Sequence, residues 1–378
     1  MNTEVLIIGG GVIGLSIARE LRLRGVGKIT IVDRGTLGLE ASWAAAGMLA
    51  PNVETDATEE FHRFGVEALN YYSPFAAAIE AETGIDIELD RSGTLCLAFT
   101  DAEESKLADS FEQHRTRGIG VEHLSATEVR AIEPAVSHDV RSALLFPNDW
   151  QVENRKLVAA LIRFAQLNDL EIVEKTEIAT LTTDGDRITG AATSAGEFRA
   201  GMTIVATGAW TSFIKIGDVP MPFEVRPIRG QMALFETPER KIKRVVYGPG
   251  GYIVPRADGR VLIGATVEDV GFDKSTTREG IDELISAAHK IVPGLREFPV
   301  AASWAGLRPF VADELPVIGG LPGYSNSLVA TAHYRNGILL APLTGKIVAE
   351  RAVNGTDSIY FSAFGVERFS TSKNATAN

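Results

Sequence analysis

Three glycines near the N-terminus form the pattern Gly-x-Gly-x-x-Gly directly after an apolar run. They are Gly9, Gly11 and Gly14. In this pattern the first glycine permits a tight turn, the second lets a phosphate approach the backbone, and the third lets a helix pack closely on a strand. Asp33 follows about 20 residues later, where a carboxylate accepts hydrogen bonds from an adenosine ribose. These four residues together predict a dinucleotide site.

A second candidate for chemistry is Arg308, which lies in a Gly-Leu-Arg-Pro stretch that predicts a turn. Its neighbours Leu307 and Pro309 are apolar, and an unpaired charge is costly in such surroundings. A guanidinium binds a carboxylate through two parallel hydrogen bonds, which fix both its position and its orientation. Arg308 therefore predicts a buried anion-binding site, and a surface salt bridge is the alternative.

The elements that would position the glycines and the acid follow one another within the first 33 residues. Residues 5–8 are apolar on both faces, as in a buried parallel strand, and residues 29–32 form a second such strand that ends at Asp33. The helix between them begins at Val12 and Ile13, where backbone N–H groups and the positive dipole end can hold phosphates. This unit is typical of a Rossmann-like domain.

Strand and helix patterns recur along the rest of the chain in an order that indicates two domains. Further α/β segments match the opening unit, and the stretch between them is rich in strands. We expect an α/β fold, in which a discontinuous Rossmann-like domain contains an inserted, mainly antiparallel β-sheet substrate domain (α+β). The first domain would comprise residues 1–85, 147–219 and 303–365, the second residues 86–146 and 220–302, and residues 366–378 would be a disordered tail.

Composition and charge exclude several classes of protein. The chain has 378 residues, of which 45% are hydrophobic and 23% are charged, so it can bury a large core. The net charge is −12 and no basic run is present, which argues against nucleic acid or an anionic membrane as a partner. The first strand starts almost at Met1, without the pattern of a signal peptide, and no apolar run reaches membrane-spanning length. These features predict a cytoplasmic protein.

The cysteine and histidine content argues against a disulfide and against a metal site. Cys96 is the single cysteine, so neither an intrachain disulfide nor a cysteine-built metal site can form. The six histidines show no metal-ligand spacing. The sequence therefore predicts no bound metal.

Five stretches together resemble the FAD-dependent D-amino-acid oxidase superfamily and, within it, the glycine oxidases. They occur in the same order and span nearly the whole chain. The stretches are Ile-Ile-Gly-Gly-Gly-Val-Ile-Gly at residues 7–14, Ala-Ala-Ala-Gly-Met-Leu at 44–49, Tyr-Ile-Val-Pro-Arg at 252–256 with Gly-Ala-Thr at 264–266, Trp-Ala-Gly-Leu-Arg-Pro at 304–309, and His-Tyr-Arg-Asn-Gly-Ile-Leu-Leu-Ala-Pro at 333–342.

The resemblance implies an enzyme that uses FAD to oxidise glycine and other small amino acids or secondary amines, such as sarcosine and D-alanine. It implies hydride transfer to flavin N5 and reoxidation by O2, which yields the 2-oxo acid, ammonia or an amine, and H2O2. It also implies a role in thiamine biosynthesis and a homo-oligomer, often a tetramer. Sarcosine-oxidase relatives tether the flavin to a cysteine in their C-terminal part, and because Cys96 lies far upstream, noncovalent FAD is expected.

The family's substrate-binding positions map onto four residues of this chain. Arg308 and Tyr252 would bind the substrate carboxylate, with Tyr247 as the competing tyrosine. Arg335 would lie near both the substrate and the flavin. Val267 stands where a well-known glycine oxidase has methionine over the substrate, so we expect a differently shaped pocket. No acid or base catalyst is implied, because a substrate with a neutral amine can give up its hydride without one.

The resemblance assigns a larger set of residues to the cofactor, and alternatives remain for one of these residues and for two segments. Arg34 could be a solvated charge, residues 207–208 could serve close packing, and residues 41–49 could be a tightly packed helix. His333 would be structural or would contact the flavin. The helix that begins near Gly337 would point its N-terminus at the flavin pyrimidine ring, where its dipole favours negative charge. The expected cofactor-binding residues are Gly9, Gly11, Val12, Ile13, Gly14, Asp33, Arg34, Ala41, Ser42, Ala46, Gly47, Met48, Ile178, Thr207, Gly208, His333, Arg335, Asn336, Gly337, Ile338 and Leu339.

Other functions compete with the oxidase at this point. A D-amino-acid dehydrogenase with another electron acceptor would use the same fold and the same Arg308, and a sarcosine oxidase is the nearest specificity variant. A non-catalytic dinucleotide-binding module would need little beyond the first 33 residues. Such a module leaves the stretches at residues 304–309 and 333–342 unexplained, so we favour the oxidase.

Overall fold

The protein, as a computed structural model, is described over residues 1–53, 58–193 and 196–369. Among the helices of these ranges, none is long and apolar enough to cross a membrane. The α-helices are α1 (Val12–Leu23), α2 (Ala41–Ala44), α3 (Glu59–Thr83), α4 (Asp101–Thr116), α5 (Ala126–Ile132), α6 (Asn154–Leu167), α7 (Arg278–Ile291), α8 (Gly337–Asn354) and α9 (Ile359–Phe364). The strands are β1 (Asn2–Ile8), β2 (Ile29–Val32), β3 (Met48–Leu49), β4 (Thr94–Ala98), β5 (Glu122–Ser125), β6 (Ser142–Phe146), β7 (Trp150–Gln151), β8 (Glu171–Val173), β9 (Thr180–Asp184), β10 (Arg187–Thr193), β11 (Gly196–Val205), β12 (Lys215–Ile216), β13 (Val219–Pro220), β14 (Arg226–Glu236), β15 (Val245–Gly248), β16 (Gly251–Pro255), β17 (Arg260–Gly264), β18 (Val300–Phe310), β19 (Val317–Gly320) and β20 (Ser327–Thr331).

The first sheet has a parallel centre with the strand order β8, β2, β1, β11, β20. Ile8 of β1 is in register with Val32 of β2 and Val205 of β11, so the three strands end at one edge. These strands are apolar on both faces because both faces are covered. Helices α1, α3, α6 and α8 pack on one face, and the cluster on the other includes the β9–β10 hairpin. The predicted Rossmann-like α/β fold is confirmed.

The second sheet is mainly antiparallel, as the sequence predicts. Its strand order is β18, β14, β17, β16, β15, β4, β6, β5, with β15 and β4 as its parallel pair. Helix α7 packs on one face through a large apolar cluster. A smaller cluster that includes Met232, Val254 and Leu262 joins this sheet to Ala46 of the first domain. The site must therefore form where the two sheets face one another.

Two expectations about the C-terminal part are wrong in detail. Residues 303–310 belong to the second sheet rather than to the nucleotide domain, because β18 pairs with β14 from Val300 to Phe310. Arg308 consequently lies in a strand and not in a turn. Val366–Phe369, expected in a disordered tail, form a 3-10 helix because Val366 is buried in an apolar cluster of the first domain. The rest of that tail lies outside the described residues.

Candidate active site

A cleft of about 570 Å3 lies between the two sheets. One wall is formed by the carboxyl ends of β1, β2, β11 and β20, where open α/β sheets bind their ligands. The opposite wall is formed by residues of β14, β16 and β18. Of all the predicted site residues, Gly14 and Leu339 are the two that do not line this cleft.

The glycine turn after β1 brings backbone to the cleft. Gly9 has φ +107°, a left-handed conformation that favours glycine. A Cβ on Gly14 would lie 1.9 Å from the Gly9 carbonyl oxygen, so Gly14 serves the close packing of α1 on β1. The N–H of Val12, in the first turn of α1, donates to Ser42 Oγ at 2.9 Å. The turn, the helix start and residues 41–48 thus form one continuous surface.

Asp33 sits at the end of β2 and is held by backbone donors. Gly10 N–H donates to its Oδ2 at 2.7 Å, and Gly35 N–H donates to its Oδ1 at 2.7 Å. Each carboxylate oxygen can accept a further hydrogen bond, so Asp33 can also receive ribose hydroxyls. Gly10 was missed at the sequence level, although it lies inside the glycine pattern. A Cβ there would be 1.9 Å from Leu37 Cδ2.

Arg34 lies at the same end of the cleft, against an aromatic ring. Its guanidinium carbon is 3.9 Å from the centre of the Trp210 ring, and Nη2 is 3.7 Å from Glu40 Oε1. Arg34 is therefore a cleft residue with two partners as well as a partly solvated charge. Trp210 belongs to the 3-10 helix Gly208–Phe213 that follows β11, and it is not among the site residues that the sequence motifs predict. The sequence feature that could have identified Trp210 as a site residue is its position just after a buried strand that ends in small residues.

The N-terminus of α8 also faces the cleft. Asn336, Gly337 and Ile338 line it, and the N–H groups in the first turn of an α-helix lack intrahelical partners. Leu339 is instead 1% exposed and packs in the apolar core, because consecutive side chains of a helix point in different directions. The dipole of α8 thus favours negative charge in the cleft. Leu339 can contribute only from behind the cleft wall.

His333 is a buried neutral residue rather than a base. Its ring is 3% exposed, and Nε2 lies 3.2 Å from Thr344 Oγ1 of α8. Burial lowers the pKa of His333 to about 3, because the charged ring would lose its hydration. The imidazole is therefore uncharged at neutral pH, in keeping with a structural or cofactor-contacting role.

Arg308 and the two candidate tyrosines meet on the wall made by the second sheet. Arg308 Nη1 donates to the carbonyl of Thr266 at 3.1 Å and to that of Arg229 at 3.3 Å. Neither partner is a carboxylate, so these bonds position the guanidinium without neutralising it. Tyr252 and Tyr247 are 5.5 Å apart between ring centres, and both line the cleft. Burial raises the pKa of Tyr252, so its hydroxyl stays a donor at neutral pH.

Val267 and Arg335 complete the predicted substrate set. Val267 follows β17, lines the cleft and is 61% exposed. Arg335 lines the cleft from the loop before α8, where Ala332 and Tyr334 have φ of 57° and 43°. A further contact was not anticipated: a Cβ on Gly306 would lie 2.5 Å from Ala44 Cβ. Gly306 therefore lets β18 approach the wall at residues 41–48.

A family model described as FAD dependent oxidoreductase matches residues 4–351. The chain belongs to this family. It is 34% identical over 351 residues to the glycine oxidase of Pseudomonas aeruginosa (strain PAO1), which covers 93% of this chain and 94% of that protein. The bifunctional protein ThiO/ThiG of Trichormus variabilis is 34% identical over 374 residues, and this chain spans 55% of its length. The solved structure of glycine oxidase from Geobacillus kaustophilus has a TM-score of 0.89 at 32% identity and covers 97% of this chain and 98% of that one.

The geometry of this FAD-dependent oxidoreductase fits its cofactor. The backbone around Gly9 and Gly11 is open to the cleft at the start of α1, which suits a pyrophosphate. Asp33 and Arg34 lie beyond that turn, at the end suited to the adenosine. The N-terminus of α8, which also lines the cleft, suits an electron-accepting ring, which FAD supplies when bound. The cleft thus offers surfaces suited to a ribose, to a pyrophosphate and to a redox ring.

Proposed function

We propose that this oxidoreductase catalyses the oxidative deamination of glycine and other small amino acids or secondary amines, such as sarcosine and D-alanine, with O2 as the final acceptor. The observation that carries the proposal is the position of Arg308, whose guanidinium is fixed by two carbonyls at the cleft wall. A carboxylate-bearing substrate is the natural partner for a charge placed in this way. The glycine oxidases among its relatives support the same reaction.

The residues around Arg308 have roles that follow from their chemistry. Arg308 holds the carboxylate of the substrate, and Tyr252 donates its hydroxyl to the same group, with Tyr247 as the alternative donor. Arg335 adds positive charge near the substrate. FAD supplies the two-electron acceptor when bound, and the N-terminus of α8 favours the negative charge that develops there. Since His333 is neutral and hydrogen-bonded to α8, position and electrostatics carry the reaction without an acid or base.

The FAD is held noncovalently in this proposal. Cys96 lies in β4 of the second sheet and does not line the cleft. Burial raises the pKa of the Cys96 thiol to about 12, so it is not a thiolate that could form a flavin bond at neutral pH. Cofactor retention therefore depends on contacts with the cleft walls.

A place in thiamine biosynthesis, a cytoplasmic location and a homo-oligomer, with a tetramer as the expected form, are part of the same proposal. The relatives named ThiO/ThiG support the pathway. Restoration of thiamine-independent growth in a strain that lacks glycine oxidase tests it. The mass of the purified protein in solution tests the oligomer.

The reaction itself is tested with purified protein that is saturated with FAD. Anaerobic glycine should bleach the flavin absorbance, and admitted air should restore the colour with one H2O2 formed for each glyoxylate. Bleaching that persists in air but is reversed by a quinone or dye would instead select the dehydrogenase. If glycine, sarcosine and D-alanine all fail to bleach the flavin, the proposed substrate class is wrong.

A further inference from the structure

Residues 42–47 form the wall segment, and the carbonyl groups of residues 42, 43, 44, 46 and 47 are held by donors on the side away from the cleft. Residues of this segment line the cleft, whereas the donors come from α6 and its approach and from the second sheet. Trp304 of β18 contacts α6, because the guanidinium carbon of Arg155 lies 4.7 Å from the centre of the Trp304 ring. The bonds are Asn154 Nδ2 to Ser42 O (2.8 Å) and Trp43 O (3.2 Å), Arg155 Nε to Trp43 O (3.4 Å), Trp304 Nε1 to Ala44 O (3.0 Å), Arg256 Nη2 to Ala46 O (2.8 Å), and Val152 N–H to Gly47 O (2.9 Å).

Two arginines belong to this donor set, and Arg256 is the one that is almost fully buried. Its side chain comes from the end of β16, is 3% exposed and does not line the cleft. Besides Ala46 O, its guanidinium donates to Val152 O at 3.0 Å, Gln151 Oε1 at 3.2 Å and Asn154 Oδ1 at 3.0 Å. A buried arginine with so many partners holds its surroundings in one arrangement.

A buried charge requires a counter-charge, and Glu153 provides it. Arg256 Nε lies 3.7 Å from Glu153 Oε1, and the side chains are 2% and 4% exposed. The pair is worth little as a stability device, because the desolvation of two ions offsets their attraction. Its geometry joins the second sheet to the wall segment and to the residues before α6, which points to a positioning role.

The group that Arg256 positions is the peptide bond between Ala46 and Gly47. A trans peptide is planar, so the N–H of Gly47 points opposite to the Ala46 carbonyl that Arg256 holds. Gly47 lines the cleft and Arg256 lies behind it, so the side opposite to the held carbonyl is the cleft side. Gly47 has φ +79°, and a Cβ there would lie 2.1 Å from Val152 O, so the segment cannot carry a larger residue without moving.

We propose that Arg256 is a positioning residue which turns the Ala46–Gly47 peptide so that the Gly47 N–H is a hydrogen-bond donor to the flavin of bound FAD. A fixed N–H donor favours the electron-rich, reduced form of the ring over the oxidised form. Arg256 thereby raises the reduction potential of the cofactor without touching it. The inference rests on the family's use of FAD and does not depend on which amine is oxidised.

The test compares the variants Arg256→Met and Arg256→Lys with the unmodified protein. Both variants should bind FAD more weakly, by about tenfold for methionine, the equivalent of one lost hydrogen bond to a charged group. At saturating FAD both should show a lower midpoint potential and an altered visible spectrum without substrate. Lysine keeps the charge opposite Glu153 but cannot span Ala46 O and Val152 O, so it should show the same effects to a smaller degree.

Arg244→Met is the matched control. Arg244 also donates to a backbone carbonyl, that of Ile132 at 3.0 Å, and faces a glutamate, Glu133, at 3.9 Å, but it does not line or brace the cleft. It should lower thermal stability and leave the potential and spectrum of the FAD-loaded protein unchanged. If Arg256→Met does not fold, Arg256→Lys decides the matter. A folded, FAD-saturated Arg256 variant with an unchanged potential and spectrum overturns the proposal, whatever its activity.

Discussion

At the scale of single residues, the substrate end of the cleft depends on how a few charges are fixed. Arg308 is positioned by the carbonyls of Thr266 and Arg229 through Nη1. Its opposite edge, Nε and Nη2, can offer a carboxylate two parallel hydrogen bonds. The two carbonyls fix the direction in which Nε and Nη2 point. Substrate binding should therefore weaken when the planar pair of donors is lost, even if the positive charge is kept.

Replacement of Arg308 by lysine tests this point. Lysine keeps the positive charge but supplies a point donor without a fork, so we expect a loss of about 1.5–3 kcal/mol in substrate binding, typical of hydrogen bonds to charged groups. The Michaelis constant for glycine should rise by roughly tenfold to a hundredfold, and FAD should be retained. Steady-state kinetics with flavin absorbance measure both quantities. Arg226→Lys, in an exposed ion pair with Asp269, is the control, and an unchanged constant for Arg308→Lys would move the carboxylate site to Arg335.

Val267 is expected to set which amine fits. Its side chain lines the cleft and is shorter and stiffer than methionine, which leaves room beside the amine or the α-carbon. Val267→Met should shift preference toward glycine by tens-fold rather than absolutely, since one methylene discriminates by about 1–3 kcal/mol. The measurement is kcat/KM for glycine, sarcosine and D-alanine. Val270→Met is the control, because Val270 lies on the same exposed stretch but does not line the cleft, and it should leave the kcat/KM ratios unchanged. If Val267→Met also leaves the ratios among the three substrates unchanged, residue 267 does not face the substrate.

At the scale of elements, the site depends on how closely α1 packs on β1. Gly14 lies at the contact, with the Gly9 carbonyl as its neighbour. The turn that contains Gly9 also forms part of the cleft. A displacement of α1 would therefore reach the cofactor site directly, although Gly14 itself does not line it.

Gly14→Ala should separate α1 from the strand. The new Cβ would lie 1.9 Å from the Gly9 carbonyl oxygen, and overpacking of this kind costs about 1–3 kcal/mol. We expect a lower melting temperature and weaker FAD binding, with an unchanged substrate ranking at saturating FAD. Calorimetry and flavin-fluorescence titration measure these effects. Gly294→Ala, with nothing within 4 Å of the added Cβ, is the matched control, and equal behaviour of the two variants would contradict the packing role.

At the scale of the whole molecule, two sheets share one cofactor cleft. The carboxyl edge of the first sheet supplies one wall and the face of the second sheet supplies the other. Residues from distant parts of the chain converge there, and Arg256 connects the second sheet both to Ala46 and to the residues around the start of α6. Binding of FAD should therefore stabilise both domains together.

If FAD is bound noncovalently, its release on denaturation and its effect on the melting temperature can both be measured. FAD should stay in the supernatant when the protein is precipitated by acid or heat, because Cys96 is outside the cleft. The melting temperature should rise with added FAD, by the equivalent of about 2.7 kcal/mol at a hundredfold excess over the dissociation constant. Riboflavin, which lacks the adenosine half, is the control ligand and should stabilise less. Flavin that remains in the denatured pellet would falsify this prediction.

The sequence by itself determined the β1–α1–β2 unit, its glycine turn and Asp33. Each of these depends on neighbours within about 20 residues, and a local pattern of apolar strand, glycine turn and acid has few alternative structures. The resemblance placed the substrate and flavin residues in order along the chain. The resemblance did not reveal that Leu339 points into the core, because neighbouring residues of a helix lie on different faces of it.

Only the tertiary structure decided what surrounds those residues. Arg308 lies in a strand because β14, some 80 residues upstream, supplies its hydrogen-bonding partner, and no local signal in Gly-Leu-Arg-Pro contains that information. Likewise Arg256 looks like an ordinary strand-end arginine until folding brings Ala46 and Val152 to its guanidinium. Hydrogen bonds between distant segments form only when folding brings both partners together, so they belong to the fold and not to any stretch of sequence.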